Sequence, residues 1–300
     1  MNHMLEFVCF VLVYFTTKTM STTNITQFFP QIQGNLTLVT WAHAVNNQSY
    51  LKSVLADDNV MMIEADISIG KITNSDAEIP IMTHPPAKTS DLSLEDFLKQ
   101  VDESNLNANN TEKTVKGVKL DFKSIEAFIA SVTYIENASK KNFPLWINAD
   151  ILSGPGRAVI KPVNSTQFLS IAKIHFPDIV LSLGWTTMNV SGGYTNDNVK
   201  AIIEVINLNK ITNIITFPVR ASLTAHSSQQ MKMLLEEFRN STLTIWSSPG
   251  DTVDIEGLRN VIFDIGVDRI FVDVPDDLKE KLHLDKPVNS RTTLTKEVQC

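Results

Sequence analysis

Cysteine is almost missing from this chain. The two present, Cys9 and Cys300, lie near its opposite ends, so no disulfide staples the sequence between them and a fold there must rest on its core. An excess of basic charge is also missing. Twenty-six Lys and Arg stand against 33 Asp and Glu, for a formal charge of -7 and a pI near 5.4. Neutralising many phosphates needs a basic face, so a general nucleic-acid binder is excluded. No apolar run is long enough to cross a bilayer, and no low-complexity tract or long linker divides the chain.

The longest apolar run, Phe7 to Phe15, has the size of a signal-peptide core and is followed by small and polar residues, so residues 1–22 are read as a signal peptide. Glu6, rather than Lys or Arg, precedes the run, and a buried N-terminal strand is the competing reading. Asn24, Asn35, Asn47, Asn109, Asn137, Asn164, Asn189 and Asn240 each head an Asn-X-Ser/Thr sequon, in keeping with a secreted glycoprotein. The expected organisation is one domain over residues 34–280 with a C-terminal tail over 281–300.

Strand-like runs alternate with helix-like runs almost to the end. Strands are expected at Thr37–Val45, Val60–Ile69, Gly117–Lys123, Leu145–Ile151, Ile179–Gly184, Ile211–Val219, Leu243–Ser247 and Arg269–Val274. Helical spacing falls between them at Leu94–Val101, Ser124–Tyr134, Ser165–His175, Asp197–Leu208, Ser228–Phe238 and Ile255–Phe263. About eight strands suit a closed single (β/α)8 TIM-type barrel, although a doubly wound open sheet would alternate in the same way. An extra extended run, Ile79–His84, interrupts the longest connection.

Polar residues collect at the carboxyl ends of these strands, the face on which β/α barrels assemble active sites. His43 ends the first strand, Glu64 and Asp66 lie on the second, Asp121 and Lys123 on the third, Asn148 and Asp150 on the fourth. Residues two apart share a strand face, so Glu64 with Asp66 and Asp121 with Lys123 point the same way. Inward carboxylates need compensation, which a divalent cation held by Glu64, Asp66 and Asp121 beside Lys123 would supply; a metal-free ion-pair network is the alternative. His43 and His84 flank the cluster as an acid and base pair, against the plainer reading of two structural histidines. His175 and His226 read as surface residues. Asn46, Asn148, Asp150 and Trp246 are expected to line a substrate pocket. Ser153, the Gly154-Pro155-Gly156-Arg157 loop, Trp185 and Arg220 are further strand-end positions.

The segments WAHAVNN (Trp41–Asn47), IEADISI (Ile63–Ile69), THPP around His84, KLDFK (Lys119–Lys123), TIWSS (Thr244–Ser248) and GVDRIFVDVPDDL (Gly266–Leu278) resemble, in order, the phospholipase C-like phosphodiesterases of the sphingomyelinase D and glycerophosphodiester phosphodiesterase groups. From about residue 34 to 280 the chain looks most like the menorin family of animal proteins. The resemblance implies a phosphodiesterase-type barrel in which Glu64, Asp66 and Asp121 bind Mg2+ or Ca2+. His43 and His84 would exchange protons, Lys123 would steady the phosphate and Trp246 would line the pocket.

Two features depart from the enzymes. Ala44-Val45 stands where glycerophosphodiesterases carry Arg-Gly, and Pro85-Pro86 stands where the sphingomyelinase D group closes a disulfide loop. The expected ligand is a phosphodiester, as a small molecule or a lipid headgroup. The alternative the resemblance carries is a non-enzymatic extracellular adhesion or signalling ligand with cell-surface protein partners. A glycan hydrolase using paired carboxylates would leave both histidines and Lys123 without roles.

Overall fold

Each central strand buries two faces, and the sequence supplies a different residue class for each. Ile63, Ala65 and Ile67, then Val118, Leu120 and Phe122, then Ile147, Ala149 and Ile151 alternate with polar residues and are all buried in one large apolar cluster. In the computed structural model, which describes residues 25–109, 113–156 and 160–286, these apolar faces turn outward onto helices and the polar faces turn inward.

The strands are β1 (Trp41–Ala42), β2 (Met62–Ile72), β3 (Glu78–Met82), β4 (Thr89–Ser90), β5 (Gly117–Phe122), β6 (Leu145–Ser153), β7 (Val180–Thr186), β8 (Ile215–Arg220), β9 (Thr242–Trp246) and β10 (Ile270–Asp273). Eight of them run parallel in the order β1-β2-β5-β6-β7-β8-β9-β10. This is a nearly closed α/β barrel of the TIM type. No backbone ladder joins β1 to β10 among the described residues. Leu36 instead donates its N–H to the Val267 carbonyl at 2.8 Å, and the Trp41 and Phe271 rings meet edge-on at 6.2 Å across the seam.

Helices α1 (Ile25–Phe28), α2 (Gln48–Ala56), α3 (Leu94–Asn109), α4 (Ile125–Ala138), α5 (Ser165–His175), α6 (Asn196–Asn209), α7 (Ala221–Thr224), α8 (Ser228–Glu237), α9 (Ile255–Ile265) and α10 (Asp276–Lys281) complete the architecture. Local chemistry sets several of their starts. Asn47, Ser124, Asn164 and Asp254 each accept a backbone N–H of the following turn, and Thr195 with Asn198 makes a reciprocal capping box. Among the described residues no helix is long and apolar enough to cross a membrane.

The barrel floor is sealed by the segment before the first strand. Ile25, Phe29, Ile32, Leu36 and Val39 pack against Met62, Trp146, Val180 and Phe271, forming a second apolar cluster. The expected strand Thr37–Val45 is mostly replaced here. Asn35 accepts the Thr37 N–H at 3.1 Å and turns Leu36–Leu38 into a 3-10 helix, leaving only Trp41–Ala42 to pair with β2. The extra run becomes β3, antiparallel to β2 with Met82 opposite Ile67. That hairpin carries His84 up to the barrel mouth.

Candidate metal and acid-base centre

Period-two alternation puts Glu64 and Asp66 on the inner face of β2, and the parallel register sets Asp121 of β5 directly beside Asp66. One oxygen from each of the three carboxylates lies within 4.8 Å of the others. Neighbouring groups hold them in place. The Ala44 N–H donates to Glu64 Oε2 at 2.8 Å, Asn46 Nδ2 donates to Asp66 Oδ2 at 2.6 Å, and the Asp66 N–H returns to Asn46 Oδ1 at 2.9 Å. Ala44 adopts a left-handed backbone, φ 55, as it aims its N–H into the site. Asn148 Nδ2 donates to Asp121 Oδ1 at 2.5 Å.

Lys123 completes this shell, its ammonium 2.6 Å from Asp66 Oδ1 and 2.5 Å from Asp121 Oδ2. Burial works against its charge, but the two carboxylates outweigh burial and hold the ammonium well above its ordinary range. Burial also opposes the charge on Asp66, and there Lys123, the Asn46 amide and His84 win, holding the carboxyl below its usual value. For Glu64 burial wins: its carboxyl is pushed up to about 7, assisted by Asp66 and Asp121 and opposed by His43 and Lys119.

The donor set fits a hard divalent cation. It offers three carboxylates and, beside Asp121, the Asn148 Oδ1, a buried acceptor without a hydrogen-bond partner. All-oxygen ligation of this kind suits Mg2+ or Ca2+ rather than a softer metal.

His43 lies on the seam side of the cluster, its Nδ1 3.1 Å from Asp273 Oδ2 and 3.5 Å from Glu64 Oε2. Burial lowers its affinity for a proton, yet the carboxylates of Glu64 and Asp273 raise the imidazole to about 9. Its side chain is 48% exposed, so water screens part of that attraction. Asp273 is held down to about 2, because His43 and Lys119 overcome the burial that would raise it. Lys119 Nζ sits 3.2 Å from Asp273 Oδ2 and 5.1 Å above the Trp41 ring. With Nδ1 bound to Asp273, the His43 ring is oriented by its partner, leaving Nε2 for the opposite side.

His84 is exposed on the other flank, anchored through Nδ1 to the Pro85 carbonyl at 2.6 Å, where Pro85-Pro86 is a cis peptide. The Thr83 N–H bonds the Asp66 carbonyl at 2.9 Å, which fixes the loop beside that carboxylate. The structure therefore gathers His43, Glu64, Asp66, His84, Asp121, Lys123, Asn46 and Asn148 at one mouth.

Across the mouth, Arg220 makes a two-point ion pair with Asp251, at 2.6 and 2.9 Å, and its guanidinium lies 5.1 Å from the Trp246 ring. Asp150 shares the inner face of β6 with Asn148. Burial, with Asp121 nearby, pushes its carboxyl up to about 7. Trp185 does not reach the mouth: it is buried against Tyr194 and Phe217 on the outer face. Ser153, His175 and His226 are exposed, and Arg157 lies outside the described residues.

The sequence reading does not single out two residues of the centre, Lys119 and Asp273. Lys119 stands two before Asp121 and so shares its face, and Asp273 is a strand-end carboxylate like the others; both signals were present in the sequence.

A family description, the Menorin N-terminal domain, matches residues 35–279. The human Protein FAM151B is 35% identical over 241 residues, spanning 79% of this chain and 82% of that protein. Among solved structures, the GH26 domain of a Prevotella bryantii endo-β-mannanase/endo-β-glucanase is similar with 12% identity and a TM-score of 0.47, covering 87% of this chain and 92% of that one. A 2,3-dimethylmalate lyase of the PEP mutase/isocitrate lyase superfamily gives 11% identity and a TM-score of 0.43, over 83% and 80% of the two chains.

Proposed function

The chain belongs to the menorin family, and from that premise we propose that it is an exported, metal-dependent protein of the phospholipase C-like phosphodiesterase type. The observation that carries the reading is the convergence of Glu64, Asp66 and Asp121 within 4.8 Å, with Lys123 against them and His43 and His84 on either flank. Glu64, Asp66 and Asp121 would hold one Mg2+ or Ca2+. Such a cation, when bound, polarises phosphoryl oxygens.

The side chains have separate tasks. Lys123 attracts the phosphate charge. Asp273 fixes the His43 ring through Nδ1, so that Nε2 is the atom which takes or gives a proton, and His84 does the complementary transfer from the far side of Asp66. Asn46 and Asn148 keep two carboxylates aimed. Export is supported by the apolar run at Phe7–Phe15, which lies outside the described residues, and by sequon asparagines 47, 137, 164, 189 and 240, all exposed.

One observation favours the non-enzymatic alternative, an extracellular adhesion or signalling ligand: Lys123 lies at ion-pair distance from both Asp66 and Asp121 and offsets part of their charge without a metal. A screen of phosphodiesters with the purified protein, with and without chelator, separates the readings. The enzyme reading expects turnover that chelation abolishes and that His43→Asn or His84→Asn lowers by about 10²-fold or more. A ligand has no turnover to lose, and its partner binding is indifferent to His84→Asn.

A further inference from the structure

Among the described residues, three of the five exposed sequon asparagines stand on the mouth side of the barrel. Asn47 follows β1 and starts α2, Asn164 lies between β6 and α5, and Asn189 follows β7. The strands are parallel, so these loops leave from the same ends that carry His43, Asp66 and Asp121. In the sheet order β1 is first, while β6 and β7 are fourth and fifth of eight, which sets Asn47 and Asn189 on opposite sides of the rim. Asn137 and Asn240 lie toward the other end, Asn240 lining a floor cavity with Ile25 and Trp146.

Local structure leaves two of the rim positions open to modification. Asn47 accepts the Tyr50 N–H and the Ser49 hydroxyl through Oδ1, both at 2.8 Å, and Asn164 Oδ1 accepts the Gln167 N–H at 3.0 Å. Their Nδ2 atoms, to which an N-linked glycan is joined, have no partner among the described residues. Neighbouring Asn46 is the contrast, its Nδ2 spent on Asp66.

The apolar residues of the rim supply a second observation. Tyr50, Ile160 and Met188 are exposed on mouth-side segments, at 39, 62 and 43%. They stand three, four and one residues from Asn47, Asn164 and Asn189 respectively. Bare, such side chains favour contact with a bilayer; a bulky hydrophilic chain beside each one opposes it.

We propose that Asn47, Asn164 and Asn189 carry N-linked glycans that form a collar round the mouth, cover its exposed apolar residues and keep the carboxylate centre off membranes, so that its phosphodiester is water-soluble; this rests on the export and phosphodiester readings above. Attachment joins Asn Nδ2 to the anomeric carbon of an oligosaccharide carried on a lipid diphosphate in the secretory compartment. The bond from that carbon to the diphosphate breaks, the lipid diphosphate leaves, and Nδ2 gives up one proton.

The test takes the full chain from the medium of animal cells. Peptide N-glycosidase in heavy-oxygen water, followed by mass spectrometry, reads occupancy at each sequon, and sedimentation with vesicles of phosphatidylcholine and lysophosphatidylcholine reads membrane contact. Wild type should be occupied at Asn47, Asn164 and Asn189 and stay in the supernatant. A variant with Ser49→Ala, Thr166→Val and Ser191→Ala loses those sequons but keeps the asparagines that cap α2 and α5. Its vesicle affinity should rise by about tenfold or more, the effect of burying one side chain such as Ile160. Trimming folded wild type with an endoglycosidase should do the same without any substitution, which covers a variant that misfolds. Turnover of glycerophosphocholine in solution is then compared with that of lysophosphatidylcholine in the vesicles, and wild type should prefer the soluble ester. No turnover of either would sink the phosphodiesterase reading, while occupancy and sedimentation still decide the collar. A chain retained in the cytosol would sink export and the collar with it. An exported chain occupied at Asn137 and Asn240 but bare at Asn47 and Asn189, or wild type that sediments as readily as its trimmed form, would overturn the collar alone.

Discussion

Asp273, at the end of the last strand, holds His43, just past the end of the first, by an Nδ1 to Oδ2 contact of 3.1 Å across the seam where the two strands share no backbone ladder. The same carboxylate takes the ammonium of buried Lys119. One side chain thus adds a contact across the seam, orients the histidine and compensates an interior cation.

Asp273→Asn should therefore do two things. Removing one partner of a buried ion pair leaves Lys119 uncompensated, a loss of about 3–5 kcal/mol that thermal denaturation would register. The His43 imidazole, raised to about 9 by Asp273 together with Glu64, should titrate at lower pH in an NMR experiment on the variant. An unchanged His43 titration would mean that Asp273 does not act on that ring.

The carboxyl of Asp150 makes a prediction about pH. Its proton affinity is raised to about 7 in the fold, so between the ordinary carboxylate range and about pH 7 the native state binds more protons than the unfolded chain. Stability from this group is present below the ordinary value and is lost as pH rises through about 7. Asp150→Asn, which cannot ionise, should melt higher than wild type at pH 8 by at least about 2 °C, the equivalent of roughly 1 kcal/mol in a domain of this size. The two should converge near pH 4. A difference that does not narrow at low pH would show that ionisation of Asp150 is not its cause.

Much of this was legible from residue order. The period of two that separates Ile63, Ala65 and Ile67 from Glu64 and Asp66 gives both the outward apolar face and the inward carboxylates of β2, and KLDFK does the same on β5. Helical spacing placed α4 at Ser124–Tyr134, where the structure has Ile125–Ala138 with Ser124 as its cap. What stayed hidden depends on tertiary contacts. Thr37–Val45 alternates like a strand, but Asn35 turns its first part into a 3-10 helix. Trp185 follows a strand-like run in phase with Leu181 and Leu183, which puts it on the outer face with them and away from the mouth. Short α2 and the floor built from Ile25, Phe29 and Ile32 have too few periodic residues to announce themselves.

Proton release should accompany cation binding. A cation needs the Glu64 carboxylate, and burial keeps a proton there up to about pH 7. Affinity for Mg2+ or Ca2+ should climb between pH 6 and pH 8. At pH 6.5 the calorimetric heat should depend on the ionisation enthalpy of the buffer. Heats that are identical in two such buffers would show that no proton leaves and that Glu64 is not a ligand.

The central claim is that Glu64, Asp66 and Asp121 form one cation site at the barrel mouth, and the most direct measurement is a calorimetric titration of Mg2+ and of Ca2+ into wild type and Glu64→Gln at pH 8. The variant keeps the shape of the side chain and removes one charged oxygen ligand, on which a hard cation depends. The account predicts one cation per chain for wild type and a severe loss of affinity in a variant that remains folded. Equal affinities in the two proteins, or a folded wild type that binds neither ion, would contradict it.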